Sequence, residues 1–171
     1  MNQELENNFS KLAANLEDQV KIYRHLLEVV RKEKEILISA NLDDLNENNK
    51  TKEAMLLKLR ALEVHRVRLA ADLATSLGLS AEAPRLLEMA NYLPGEAGER
   101  LRNLHSVLNL LLKRVQEYNK QNENLVNSAL ENITGAMKAI RDTLKDKPTY
   151  EKKGKKEVKD APVGRLVSRE A

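Results

Sequence analysis

The feature that most constrains the fold is a long row of apolar residues that begins at Leu101 and ends at Leu144. Its members recur at steps of three and four residues almost throughout, which is typical of one face of a single amphipathic helix. The row comprises Leu101, Leu104, Leu108, Leu111, Val115, Tyr118, Leu125, Ala129, Ile133, Met137, Ile140 and Leu144. At about 1.5 Å per residue, a helix from about 97 to 145 spans on the order of 70 Å.

Two shorter apolar rows precede it and predict two further helices. The first runs from about 3 to 39, and the second begins after Asn41 and ends near residue 77. Asn41 suits the N-cap position because acids follow it, and Gly78 suits the C-cap. Both helices are about a dozen residues shorter than the third. Because short connections join antiparallel neighbours, the first two are expected to pair antiparallel.

The segment 79–98 has a different pattern and predicts a connector. Ser80 is expected to cap a short helix, with Pro84 in its first turns, that contains Leu86, Leu87, Met89 and Ala90. Pro94-Gly95 then predicts a turn. The expected fold class is all-α: an antiparallel bundle of three long helices plus one short connecting helix, followed by a flexible C-terminal tail.

Charge is unevenly distributed and defines that tail. The chain carries a net charge of +3, but the residues from Lys145 onward contain nine Lys and Arg against five Asp and Glu. Prolines, glycines and few apolar residues leave this segment little to bury. We therefore predict a helical domain at 1–145 and a flexible basic tail at 146–171. Because the rest of the chain sums to about −1, a chain-wide surface for nucleic acid is not supported.

The sequence contains few motifs that are typical of catalytic or metal-binding sites. The chain has no cysteine, and none of its three histidines has a second His or an acid four residues away, the spacing of a helical metal pair. It has no glycine-rich phosphate loop and no Ser or Asp in a nucleophile context. No secretory signal and no membrane span are predicted. We therefore expect a protein that is not an enzyme and has no metal or cofactor site, and the absence of cysteine is compatible with the cytoplasm.

Polar residues interrupt the apolar rows at a few positions. Gln19 and Glu33 interrupt the first row, and Asn122 falls on the third row inside the asparagine-rich segment YNKQNENLVNSALENI. Asparagine is a poor helix former, and a buried one needs hydrogen-bond partners. Two interpretations remain open: a polar layer that sets the register of the helices, or a mixed surface that binds a partner helix.

The last turns of the third helix are expected to extend past its shorter neighbours and to carry an apolar face without a partner in the same chain. Such a face can hold an amphipathic helix of another protein, and the unbranched thioether of Met137 adapts to imperfect partners. The alternatives are that the overhang folds back or pairs with a second copy of the chain as a homodimer. The predicted partner-binding residues are Asn122, Leu125, Val126, Leu130, Ile133, Met137, Ile140 and Leu144.

The order of these segments resembles the FlgN-type flagellar export chaperones over nearly the whole length. The first helix with YRHLLEVVRKEKEILISANLDDL is similar to the family's opening, and NKTKEAMLLKLRALEVHRVRLAADLATSLGL is similar to its second helix. YNKQNENLVNSAL resembles the third-helix pattern, and TYEKKGK with GRLVSREA resembles the tail. The order and spacing of the segments carry the resemblance, because leucine spacing alone recurs in any helical hairpin.

The resemblance implies a cytoplasmic, non-enzymatic chaperone of the type III secretion pathway that builds the bacterial flagellum. Such chaperones bind the C-terminal helical segments of hook-filament junction proteins, prevent their premature assembly and bring them to the export gate. Tyr150 is the residue that matches the family's gate-docking tyrosine. Contact with the membrane machinery is then peripheral, through the export gate alone. The alternative from another class is a structural coiled-coil scaffold that forms permanent homo-oligomers.

Overall fold

The computed structural model describes residues 2–82 and 84–145, and this part of the chain contains four α-helices and no strand. In chain order they are α1 (Gln3–Ser39), α2 (Leu42–Ser76), α3 (Leu86–Tyr92) and α4 (Gly95–Lys145). The all-α prediction is confirmed. The expected difference in length is confirmed as well, since α4 has 51 residues against 37 in α1 and 35 in α2.

The chain divides into two compact units, Met1–Ala129 and Leu130–Ala171. The first unit holds α1, α2, α3 and the larger part of α4. The described part of the second unit holds the remaining residues of α4, which end at Lys145. Residues 146–171 lie outside the described residues, so the predicted division into a helical domain at 1–145 and a tail at 146–171 stays a prediction.

Hydrogen bonds between α1 and α2 show that the two helices are antiparallel, as predicted. Asn8, near the start of α1, donates to the hydroxyl of Ser76 at the end of α2 over 2.7 Å. Farther along α1, the carbonyl oxygen of Val29 accepts from the amide of Asn48 over 3.3 Å. Later residues of α1 therefore meet earlier residues of α2.

Contacts between α1 and α4 run in the same order along both helices. Arg100 bonds the carboxylate of Glu17 at 2.6 Å, and the amide of Asn122 donates to the carbonyl oxygen of Val30 at 3.0 Å. Within the first unit α4 is therefore parallel to α1 and antiparallel to α2.

The core of the first unit consists of two mainly aliphatic clusters. The first cluster joins α1, α2, α3 and the start of α4, and the second joins the later part of α1 to the middle of α2 and α4. Burying one such side chain contributes about 1.5–3 kcal/mol. The largest fully buried side chains are Leu12, Leu16, Leu26, Leu73, Met89, Leu101 and Val30.

The connection between α1 and α2 is a tight turn at two residues. Ala40 takes the left-handed conformation, with φ of 54°, and the Asn41 side chain accepts from the backbone N–H groups of Asp43 at 3.2 Å and Asp44 at 3.3 Å. These acids also oppose the positive end of the helix dipole. The predicted N-cap at Asn41 is confirmed.

The end of α2 is a Schellman motif built on glycine. Gly78 has φ of +71°, its N–H donates to the Thr75 carbonyl at 3.0 Å, and the N–H of Leu79 donates to the Ala74 carbonyl at 2.9 Å. These two bonds satisfy carbonyls that a helix end leaves open. The predicted glycine terminator is confirmed, one residue beyond the C-cap at Leu77.

The connector differs from its prediction at one end. Ser80 does not cap α3: its hydroxyl accepts from the N–H of Glu82 at 3.2 Å, and α3 begins only at Leu86, after an N-cap residue, Arg85, without a capping side chain. The physical reason is Pro84, which disfavours helical conformation in the residue before it. The expected turn near Pro94 separates α3 from α4, and Gly95 there has φ of +46°.

Candidate functional site

The second unit carries a row of five exposed apolar side chains, which we name the second-unit stripe. Successive members are three or four residues apart, so they share one face of α4. The exposed fraction of each side chain lies between 56% and 63%. A contiguous apolar face of this kind marks an interaction site more often than a free surface. Its members are Leu130, Ile133, Met137, Ile140 and Leu144.

The polar residues around the second-unit stripe leave it open. The hydroxyls of Thr134 and Thr143 donate to the carbonyl oxygens four residues earlier in α4, at 2.8 Å each. Lys138 and Asp142 are exposed on the side of α4 away from the stripe, and neither belongs to a salt bridge among the described residues. The hydroxyls that flank the stripe are therefore satisfied within α4, and the face itself offers apolar surface.

The other predicted partner-binding residues lie in the first unit. Leu125 and Val126 are partly exposed, at 36% and 40%. Val126 lines a groove of about 330 Å³ together with Leu37 and Leu45. Asn122 differs from its prediction as a client contact, because its side chain is only 4% exposed.

Asn122 belongs to a buried polar layer between three helices. Its amide donates to the Val30 carbonyl and to the carboxylate of Glu33, both at 3.0 Å, and Lys52 bonds the same carboxylate at 2.9 Å. A polar layer of this kind favours one alignment of the helices, since a shift would break the bonds of Asn122 to Val30 and Glu33. Of the two interpretations left open by the sequence, the geometry supports the register-setting layer.

A second polar layer lies nearer the start of α1. The amide of Gln19 donates to the side-chain oxygen of Asn15 at 2.9 Å, and Asn15 donates to the carbonyl oxygen of Leu62 at 3.2 Å. The sequence identified Gln19 and Glu33 as interruptions of an apolar row but missed Asn15, Asn48 and Lys52. Only the pairing of α1 with α2 shows that these residues meet.

One open cavity of about 490 Å³ in the first unit contains titratable side chains, among them Tyr23, Glu63, Arg66 and His105. Arg66 bonds Glu63 with Nε to Oε2 at 2.8 Å, and this hydrogen bond lowers the pKa of the Glu63 carboxyl. Burial raises the pKa of the Tyr23 hydroxyl. The cavity therefore holds the ion pair of Arg66 and Glu63 and the neutral phenol of Tyr23. The two residues of the ion pair lie within one turn of α2.

Two further observations concern chemistry and membranes. Within residues 2–82 and 84–145, no group of three or more His, Asp or Glu side chains is arranged to hold a metal ion. In the same residues, no helix combines the length and the apolar character needed to span a bilayer. The predicted docking residue Tyr150 lies outside the described residues.

Comparison with known proteins identifies the family. The model of the FlgN protein family matches residues 1–157, which is most of the chain and includes the four helices that the structure describes. No curated protein and no solved structure matches the chain. The chain therefore belongs to the FlgN family of flagellar export chaperones.

Proposed function

We propose that this protein is a cytoplasmic type III export chaperone whose clients are the flagellar hook-filament junction proteins. It binds their C-terminal helical segments, prevents premature assembly and delivers them to the export gate. The observation that carries this proposal is the second-unit stripe, where five apolar side chains are each more than half exposed. The family implies a flagellar chaperone in general, and the stripe supports a helical client.

The stripe suits an amphipathic helix because both present apolar residues at steps of three and four. Removing apolar surface from water contributes about 25 cal/mol per Å², part of which is offset by the loss of motional freedom on association. Met137, near the middle of the stripe, can adjust its side chain to different client residues. We therefore propose reversible binding with tolerance for more than one client sequence.

The same contact explains how a chaperone prevents early assembly. An assembly helix that polymerises through its apolar face exposes that face before export, and an exposed apolar face aggregates. A client helix bound to the second-unit stripe has that face covered. The chaperone and the growing filament then compete for one surface of the client, so that export and release precede assembly.

We test the client site with two aspartates on the stripe, Ile133→Asp and Ile140→Asp together. Burying a carboxylate against apolar partners is unfavourable, so the affinity for the C-terminal segment of a junction protein should fall at least tenfold by titration calorimetry. Helical circular dichroism should stay close to that of the parent, because both side chains are exposed.

The matched control places the same two charges on another side of α4, about 100° around the helix from the stripe positions. Asn132→Asp and Ala139→Asp have the same seven-residue spacing, and both positions are exposed. This control should bind the client within about twofold of the parent, since its charges do not face the partner. Equal loss of affinity in both double variants would rule out the stripe as the binding face. Unfolding of the stripe variant alone would assign those isoleucines to the core.

Docking at the export gate is proposed through Tyr150. An isolated aromatic side chain can serve as an anchor in a partner's pocket, and the resemblance to the family's tail supports this residue. We expect Tyr150→Ala to weaken binding of the loaded chaperone to the gate at least fivefold in a pull-down titration. Its affinity for the client should not change. Gate binding equal to that of the parent would leave the tail without a docking role.

A further inference from the structure

Helix α2 has a second apolar side that faces away from the core. Leu59, Leu69 and Leu73 are buried, whereas Leu57 and Val64 are 69% and 56% exposed. A helix of the bundle needs one apolar side to pack against its neighbours. The exposed apolar residues of α2 are therefore surplus to the fold, and none of them takes part in the client site proposed above.

These exposed residues belong to a row that we name the outer α2 face. Its members follow one another at steps of three and four residues, so they lie on one side of the helix. All of them are exposed. At 1.5 Å per residue the row is about 33 Å long. The members are Lys50, Glu53, Leu57, Ala61, Val64, Arg68 and Asp72.

The outer α2 face is complementary to a second, antiparallel copy of itself. Around Ala61, to within one residue, the apolar Leu57 mirrors Val64, and the acid Glu53 mirrors Arg68. At the two ends Lys50 mirrors Asp72. Two antiparallel copies of this row would thus place apolar residues against each other and opposite charges against each other.

The charges of this face have no partner among the residues that the structure describes. None of Lys50, Glu53, Arg68 and Asp72 belongs to any salt bridge there. By contrast, Glu33 and Lys52, which lie between helices, pair with each other. The unpaired charges of the outer α2 face are thus available to another chain.

We infer that the outer α2 face binds the same face of a second copy of this chain, antiparallel and with the two-fold axis at Ala61. An isologous contact requires a self-complementary surface, which this row provides. The small side chain at the axis lets the two helices approach closely. A single pair of helices buries less than the roughly 1,600 Å² of a standard interface, so we expect a reversible dimer that forms with increasing concentration.

Charge reversal tests the pairing of Glu53 with Arg68. In an antiparallel dimer this pair occurs twice, so Glu53→Arg or Arg68→Glu alone should weaken dimerisation at least tenfold in sedimentation equilibrium. The double variant restores opposite charges and should dimerise within about threefold of the parent. A parent that stays monomeric over the concentration series would overturn the proposal, and so would a double variant as weak as the single ones.

Disulfide trapping tests the direction and the axis, because the chain contains no cysteine. Ala61→Cys should form a disulfide-linked dimer on oxidation. Thr75→Cys is the control: it is exposed and lies on the same side of α2, but antiparallel pairing separates the two copies by about 40 Å. Crosslinking at both positions would indicate parallel helices and overturn the inference.

The client site and the dimer contact can be separated in one further variant. The Ile133→Asp and Ile140→Asp double variant should dimerise as the parent does, because its changes lie outside the outer α2 face. Loss of its dimer would assign self-association to the second-unit stripe and overturn the inference, whatever the result for client binding.

Discussion

Replacing Gly98 by alanine is expected to lower the free energy of unfolding by about 2 kcal/mol, although alanine favours helices by about 1 kcal/mol. Gly98 lies in the first turn of α4 and is buried. A Cβ there would be 2.5 Å from the carbonyl oxygen of Ala90 and 3.0 Å from that of Leu93. Both atoms are backbone, and Arg102 also holds the Ala90 carbonyl at 3.1 Å, so α3 would have to move.

The same helix provides the control for this prediction. A Cβ at Gly135 would meet no atom of a neighbouring element within 4 Å, so Gly135→Ala adds helix propensity without a clash. We expect this change to raise helicity and to stabilise α4 by up to about 1 kcal/mol. Chemical denaturation followed by circular dichroism measures both variants. Stabilisation by Gly98→Ala would show that α3 does not pack closely on α4.

Replacing Lys52 by methionine is expected to lower the free energy of unfolding by about 2 kcal/mol. Lys52 and Glu33 form a salt bridge of 2.9 Å, and their side chains are only 22% and 13% exposed. Without the ammonium group, the Glu33 carboxylate keeps the amide of Asn122 as its remaining donor, at 3.0 Å. The largely buried negative charge of Glu33 would then lack a positive partner. Urea denaturation measures the change.

A double-mutant cycle separates the loss of the pair from the cost of the stranded charge. Glu33→Leu with Lys52→Met removes both charges and keeps similar volumes. If the two losses of stability were additive, the double variant would be less stable than either single variant. We expect it instead to be more stable than the Lys52→Met variant, because no charge is left without its partner. A double variant less stable than either single variant would show that the two residues contribute through separate contacts.

The bounds of the long helices were predictable because their signals are local. The N-cap at Asn41 and the glycine after α2 act through bonds to residues two to five positions away. The predicted start of α3 was wrong, because Ser80 lies upstream of Pro84 and the helix begins only after the proline. Two local signals competed there, and the restriction imposed by proline prevailed.

The candidate site was predictable in part. Periodicity identified the apolar row of α4, and the last five of its exposed apolar members, from Leu130 to Leu144, are each more than half exposed. Asn122 shows the limit of this reasoning, since an asparagine on an apolar row is compatible with both a surface and a core. Its burial depends on Glu33 and Val30, which are about ninety residues away in the chain and meet it only in the packed bundle.

The tight turn at Ala40 and Asn41 has a consequence for the order of folding. Contacts next to this turn close small loops, such as the bond of Asn48 to Val29 across 19 residues, and small loops form fast. The bonds from α4 to α1 join residues that are far apart in sequence, so they carry a larger entropic cost and form later. During synthesis α1 and α2 also leave the ribosome before α4 does. We therefore expect the polar layer at Asn122 to assemble onto a preformed hairpin, which selects the register of the arriving helix.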